Sequence, residues 1–393
     1  MAPAAHTDGF APSGAHRALN CPASILLERQ FPNKNTSYSD AGTLAHKMGE
    51  HKLRYYFGVP VVIPKKEYID ELKRLKQEAL YEPKMDSDTN MYVDAVKELA
   101  LSFSPHPTVI ALEQQVDASQ WAPDCWGTAD CILAGSGKLC VIDYKNGVTP
   151  VAVEHNPQLM IYALGALSTF GIILGDSIKQ VSLTIVQPNN GGVKTWELPT
   201  SELLKWGEEV LRPGAELAMS GKGPAHADPN PDGWCKFCRA RHVCRARTEM
   251  LLKLTAHTDT DPKLLSNDEL GDVLRQGATL ESWYKGLKEY ALTEALAGRK
   301  ISGFKVVDGR GSRDWKDADK AFETLKERGV EDALLWERKP VSVAGLEKVL
   351  GKKNFASTAK GLWQKKPGKP ALVDEEDPRD PYNAAKVVFT EVK

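Results

Sequence analysis

Asp143 and Lys145 stand two residues apart in CVIDYKNG, residues 140–147. In a strand that spacing sets both side chains on one face. Strand interiors seldom carry neighbouring charges unless something uses them. The runs WGTADCILA and KLCVIDYK flank Gly135-Ser136-Gly137-Lys138, which reads as a hairpin turn. A turn symmetric about Ser136 and Gly137 opposes Ala134 to Leu139, Ile132 to Val141, Asp130 to Asp143 and Thr128 to Lys145. Two opposed carboxylates repel unless one takes up a proton or a cation lies between them. Carboxylate oxygens suit Mg2+ or Mn2+. With a lysine one step along, the set fits phosphodiester hydrolysis. The metal lowers the pKa of a bound water and polarises the phosphate, and the lysine stabilises developing charge. From the residues alone, Asp130 could instead be a turn residue and Asp143–Lys145 an exposed ion pair.

A second set is built on sulfur. Of seven cysteines, Cys235, Cys238 and Cys244 form a Cys-x2-Cys-x5-Cys cluster among lysines and arginines, unlike core fillers. A metal needs a fourth ligand. His242 would complete a Cys3His zinc site, and Cys21, far upstream, is the other candidate. Cys125, Cys131 and Cys140 read as strand or strand-edge residues. Lys236, Arg239, Arg241, Arg245 and Arg247 in the same stretch are either a DNA-backbone contact or a solvated face. The net charge of −1 sets up no global field for a polyanion, so any such site must be local.

The elements that must position these residues are legible as periodic segments. A length of 393 residues, 42% apolar and 26% charged, suits two or three globular domains. No run is long enough to span a membrane and no secretory signal is visible, so a cytoplasmic thiol protein is expected. Helices are expected over residues 14–29 and 36–58, the second capped by Ser39 or Asp40 and ended by Gly58. Two more fall within 66–102, around a polar break near 82–90. Strands are expected at 108–117, 126–134, 138–145 and 180–188, with a helix before the last. A helix over 201–220 and a Pro/Gly/Asp loop then lead to the cysteine cluster. A boundary falls near 250–265. Beyond it come helices over about 267–298, a hairpin at 301–317, further helix, and a Pro-rich charged end at 365–385, extended or partly disordered.

Taken together, the motifs resemble those of the PD-(D/E)XK nuclease superfamily, in its RecB-like branch. The superfamily pattern of Gly-x-x-Asp, a turn, then Asp/Glu-x-Lys matches Gly127–Asp130 and Asp143-Tyr144-Lys145. The branch's helical Gln-x-x-x-Tyr matches Gln158 and Tyr162, behind a capping Asn156 and Pro157. Its upstream Gly-x-x-x-His matches Gly42 and His46. Glu113 lies on the preceding strand, where related nucleases often carry an acid. One cysteine before this core and three after it is the pattern of iron–sulfur members of the branch, AddB-type and CRISPR-associated exonucleases. The whole chain is similar to a phage and prophage family.

The resemblance implies an α/β fold, a restriction-endonuclease-like core with a mixed sheet flanked by helices. It also implies an N-terminal helical region and a C-terminal α+β accessory region, divided as 1–250 and 251–393. It implies catalytic roles for Asp130, Asp143, Lys145, Gln158 and Tyr162. Mg2+ or Mn2+ would sit on His46, Asp130, Asp143 and Glu113. Cys21, Cys235, Cys238 and Cys244 would hold a structural [4Fe–4S] cluster, with Zn2+ as the alternative. The expected activity is a DNA nuclease, more an exonuclease than an endonuclease. It would serve phage recombination or replication with a single-strand-binding or annealing partner. The accessory region would bind DNA, oligomerise or hold that partner. The competing expectation is a non-catalytic nucleic-acid-binding module whose metal centre is only structural.

Overall fold

Five strands form one mixed sheet in the order β1-β2-β3-β4-β5. They are β1 Val109–Asp117, β2 Trp126–Gly135, β3 Lys138–Tyr144, β4 Gln180–Gln187 and β5 Gly192–Pro199. The computed structural model describes residues 9–32, 37–174, 177–230, 233–253, 263, 265–307, 318–328, 331, 343–359 and 362. β1, β2 and β3 run antiparallel in turn, β3 and β4 are parallel, and β4 and β5 are antiparallel. The parallel pair needs a crossover, supplied by the helix α6 Pro157–Leu174. The β2–β3 turn has positive φ at Gly135, Ser136 and Gly137, and Ser136 Oγ donates to the Ser104 carbonyl at 2.9 Å. Its symmetry sets the expected register, Ala134 opposite Leu139 and Ile132 opposite Val141.

Sequence composition decides which helix covers which face. α6 is almost wholly apolar and packs on the face bearing Ile132, Ala134, Leu139 and Val141. Burying Leu159, Ile161 and Leu164 there contributes about 1.5–3 kcal/mol each. The opposite face, with Cys131, Leu133, Cys140, Ile142 and Tyr144, packs on α3 Ser37–Phe57 and α5 Lys84–Leu101. Between them lies α4 Lys65–Leu75, so the break falls at 76–83, earlier than the polar run suggests. Gly127 lets α6 approach β2, since a Cβ there would lie 2.8 Å from the Tyr162 ring and 3.0 Å from Pro12.

Several elements differ from expectation. Residues 14–29 form two helices, α1 Ala15–Asn20 and α2 Ser24–Arg29. Cys21 leaves the helical region at φ −136° and ψ 82°, as a residue before proline tends to do. The segment 200–219 is a helix α7 Thr200–Trp206, a π turn Gly207–Leu211 and a helix α8 Arg212–Met219. β5, an edge strand with little burial, has no counterpart in the sequence reading. The capping position expected at Ser39 or Asp40 lies inside α3, which already begins at Ser37. Gly58 does end α3, with φ +67°.

α9 Arg245–Leu252 follows the cysteines. α10 Asn267–Leu296 opens with a capping box between Ser266 and Glu269. The chain divides into two compact units, 1–306 and 307–393, so α10 groups with the first although the composition change comes earlier. Residues 301–307 carry no strand, and the remainder of the hairpin expected at 301–317 lies outside the described residues. The second unit has described helices at Ala318–Glu327, Val343–Leu350 and Lys352–Thr358. The Pro-rich end at 365–385 lies outside the described residues. Among the described residues, no helix is long and apolar enough to cross a membrane.

Candidate active site and cysteine centre

The β1–β2 ladder pairs Leu112 with Cys131 and Gln114 with Ala129, skipping Glu113 and Asp130 between them. Glu113 sits at φ +47°, a conformation costing roughly 1–3 kcal/mol for a residue other than glycine. The alternation of faces reverses here. Leu112 and Cys131 join the α3–α5 side, whereas Val116 and Ala129 join the α6 side. The kink releases both carboxylates from the regular ladder. His46 reaches them from α3, its Nδ1 3.4 Å from Asp130 Oδ1. Ligand atoms of His46, Glu113 and Asp130 all lie within 4.8 Å of one another. The His46 ring stands edge-on to Tyr144, with centroids 5.3 Å apart.

Asp130 and Asp143 do not pair as the turn symmetry predicts. The β2–β3 ladder ends at Cys131 opposite Ile142, because Asp130 Oδ2 accepts the Tyr144 N–H at 2.7 Å in place of a strand partner. Nor does Lys145 face Thr128, since it lies past the end of that ladder, and its N–H donates to the Val186 carbonyl of β4 at 2.9 Å. Asp143 and Lys145 remain together. The ammonium lies 3.0 Å from Asp143 Oδ2 and 3.3 Å from Oδ1, but only Oδ1 has hydrogen-bond geometry. Oδ2 is buried with no hydrogen-bond partner. Lys145 also donates to Gln158 Oε1 at 3.1 Å, and Gln158 Nε2 donates to Tyr162 Oη at 3.1 Å. Asn156 Oδ1 caps α6, accepting from the N–H groups of Gln158 and Leu159 at 3.0 and 3.3 Å. The cap therefore fixes the start of the helix that carries Gln158.

The electrostatics are those of an acid cluster short of positive charge. Burial, then the charges of Asp130 and Glu50, push the Glu113 carboxyl up to about 7. Burial alone would lower His46, but hydrogen bonding and charge from Asp130, with Asp143 and Glu113, raise it. Burial raises Asp143 despite the opposing Lys145. Lys145 is raised in turn, Asp143 outweighing its desolvation. Glu50, a turn beyond His46, pairs with Arg54 at 2.6 Å. Gln114 donates locally, to the Gln115 carbonyl at 2.7 Å.

Cys21, Cys235, Cys238 and Cys244 line one small buried cavity together with Arg17, Arg241 and Arg247. His226 N–H donates to Cys21 Sγ and Asp228 N–H to Cys235 Sγ, both at 3.3 Å. The Ala240 N–H donates to Cys238. Burial pushes the Cys238 thiol up to about 11 and raises those of Cys21 and Cys235. Glu28 joins the two ends of this unit. It accepts from Arg17 Nε at 2.9 Å and from the Arg239 N–H at 2.7 Å. His242 does not line the cavity. It lies against α10, so close that a Cβ on Gly286 would overlap its ring, and its Nε2 accepts from Arg241 Nε at 3.0 Å.

The family model "Protein of unknown function (DUF2800)" matches residues 9–380. The chain belongs to this family. The matched span takes in both centres and most of the second unit. A solved structure titled "Crystal structure of SSO0001" is similar at 16% identity, covering 52% of this chain and 96% of that one, with a TM-score of 0.23.

In this DUF2800 chain the five basic residues of the cysteine segment do not form one solvent-facing patch. Arg247 is 5% exposed, and its Nε and Nη1 have no hydrogen-bond partner. Arg241 donates to the Lys236 carbonyl at 2.9 Å and Arg239 to that of Phe31 at 2.9 Å. Lys236 donates to Thr149 Oγ1 at 3.3 Å, and Arg245 alone of the five is exposed, paired with Glu249.

Sequence reasoning missed Gln187. It is buried at the end of β4 and holds the loop after Lys145, donating to the carbonyls of Gly147 and Thr149 at 2.8 and 2.7 Å. Its Oε1 accepts the Val151 N–H at 3.2 Å. A glutamine closing an apolar strand was the signal available.

Proposed function

We propose that this chain is a metal-dependent DNA nuclease of the RecB-like PD-(D/E)XK kind, carrying a structural [4Fe–4S] cluster. The observation that carries the reading is the convergence of His46, Glu113 and Asp130 ligand atoms within 4.8 Å, beside the ion pair of buried Asp143 and half-buried Lys145. These residues fit a divalent cation. The donors are two carboxylates and an imidazole, and Asp143 Oδ2, which accepts no hydrogen bond although the Lys145 ammonium lies 3.0 Å away, adds a further carboxylate oxygen. Bound there, Mg2+ or Mn2+ supplies Lewis acidity toward a phosphate oxygen and acidifies a water. Lys145, held by Asp143 and Gln158, presents an ammonium where charge builds on the phosphate. Tyr162 orients Gln158 through its hydroxyl, and so keeps the lysine directed. Asp130 is anchored by the Tyr144 N–H, which limits its motion toward the metal position.

Iron–sulfur rather than zinc at the cysteines rests on the order of the resemblance, one cysteine before the core and three after it, and all four line one cavity. The buried Arg247 guanidinium beside them calls for an anionic centre, which thiolate ligation supplies. N–H donors to sulfur suit the same role.

The test is digestion of end-labelled linear and closed-circular DNA by anaerobically purified protein, with Mg2+ or Mn2+ against EDTA. Metal-dependent loss of linear DNA, with circles spared, is the expected exonuclease result. Brown protein containing iron and sulfide is the expected state of the cysteine centre. No hydrolysis of either DNA by iron-loaded protein at any divalent metal concentration would sink the nuclease reading, and colourless protein with bound zinc would sink the cluster.

A further inference from the structure

An open cleft of about 670 Å³ runs from Lys145 and Gln158 to the cysteine segment. It is lined there by Trp234 and Phe237, and by His16 from α1. Phe237 is 63% exposed although it sits beside the buried Cys238. A large apolar ring held out on an ordered loop invites an occupant. Lys236 places its ammonium 5.3 Å from the Phe237 ring centroid while donating to Thr149, which lines the same cleft. Trp234 is held by two contacts. Its N–H donates to Asp228 Oδ2 at 2.8 Å and its Nε1 to the His226 carbonyl at 3.0 Å. The His16 ring stands edge to face with the Trp234 ring, the centroids 6.4 Å apart. The aromatic faces are thus positioned by the cysteine loop, and their cleft continues to the catalytic lysine.

Aromatic rings edged by cations favour a ligand with flat faces and a negative backbone. Bases of an unpaired strand stack on such rings without regard to sequence. A paired duplex offers few free base faces. We propose that Phe237 and Trp234, with His16, form a base-stacking site for unpaired nucleotides adjoining the phosphate at Lys145. The assignment rests on the nuclease reading for its substrate. It also gives the cysteine centre a second role, as the support of a substrate-gripping loop.

The experiment measures binding without turnover, so it stands apart from catalysis. Full-length iron-loaded protein in EDTA is titrated into fluorescein-labelled oligothymidylate and, separately, into a blunt duplex. Phe237→Ala should weaken oligothymidylate binding about tenfold, and Phe237→Trp should restore it. Duplex binding should change less than twofold, and iron content should match the wild type in both variants. Trp234→Ala should act in the same direction, and Phe237 is the cleaner test because its side chain is exposed. Unchanged oligothymidylate affinity in iron-loaded Phe237→Ala overturns the site. So does an equal loss on both DNAs, which would mean a general contact, and so does a wild type that binds neither. A protein that binds through Phe237 yet never hydrolyses DNA keeps the stacking site and loses the nuclease reading.

Discussion

The acid–lysine centre and the cysteine centre are held in opposite ways. Asp130 and Asp143 come from adjacent strands, Lys145 directly follows the second of them, and Glu113 comes from the neighbouring strand. Their frame is one five-stranded sheet with an apolar helix on one side and α3 and α5 on the other. It tolerates a strained Glu113 and a cluster of like charges because the sheet holds without them. The cysteine centre is carried on turns and helix ends. Cys21 and Cys235 lie more than 200 residues apart in sequence, joined by Glu28 and a few backbone hydrogen bonds. Its buried Arg247 has no carboxylate partner among the described residues. A frame of that kind depends on what binds inside it. The first centre should therefore lose chemistry and keep its fold when altered, and the second should lose fold.

The largest expected effect tests the first half. Asp143→Asn and Lys145→Ala should each lower cleavage by at least about 10³-fold, while melting temperature stays close to wild type. Cleavage kinetics beside thermal unfolding separate the two readouts. Full turnover in Asp143→Asn would remove these residues from the active site. Next, Cys21→Ala should lose iron as completely as Cys238→Ala, and both should become prone to aggregation. Iron and sulfide analysis with light scattering reads this. A Cys21→Ala protein that keeps its metal would separate the N-terminal turn from the centre.

Arg247 sharpens the contrast because its effect should change sign. With the centre filled, Arg247→Met should destabilise the protein, since an anionic group loses its buried cation. With the metal removed, the same change should stabilise it by about 1–4 kcal/mol, because an unpaired buried charge is gone. Denaturant melts of the two forms check this, and destabilisation in both would make Arg247 a packing residue alone.

A smaller effect concerns pH in chelated protein. Glu113 is raised by burial and by its neighbouring acids to about 7, and His46 is raised as well. A group raised in the folded state stabilises it below the ordinary range and loses that contribution as pH rises through the folded value. Stability in EDTA should thus fall from about pH 5 to pH 8. Glu113→Gln should flatten part of the slope, and Mg2+ should restore stability at the upper end. The smallest effect is expected at Arg245, exposed and paired with Glu249, where Arg245→Ala should move stability by no more than about 0.5 kcal/mol.

What the sequence determined by itself is what short-range stereochemistry transmits. The turn at Ser136 and Gly137 sets the β2–β3 register as far as Cys131 and Ile142, because the strand period of two carries a local geometry along both chains. Asn156 and Pro157 announce α6, and with it the shared face of Gln158 and Tyr162. Only the tertiary structure decided where that transmission stops. Asp130 leaves the ladder because Tyr144 offers it an N–H, and Glu113 turns to positive φ opposite it. Pairing rules alone contain neither event. Arg247 reads in sequence as a DNA-backbone contact or part of a solvated face, and is buried in the fold. Burial depends on which distant element packs over a residue, and here that element is the turn at Cys21, brought there by contacts spanning most of the first unit.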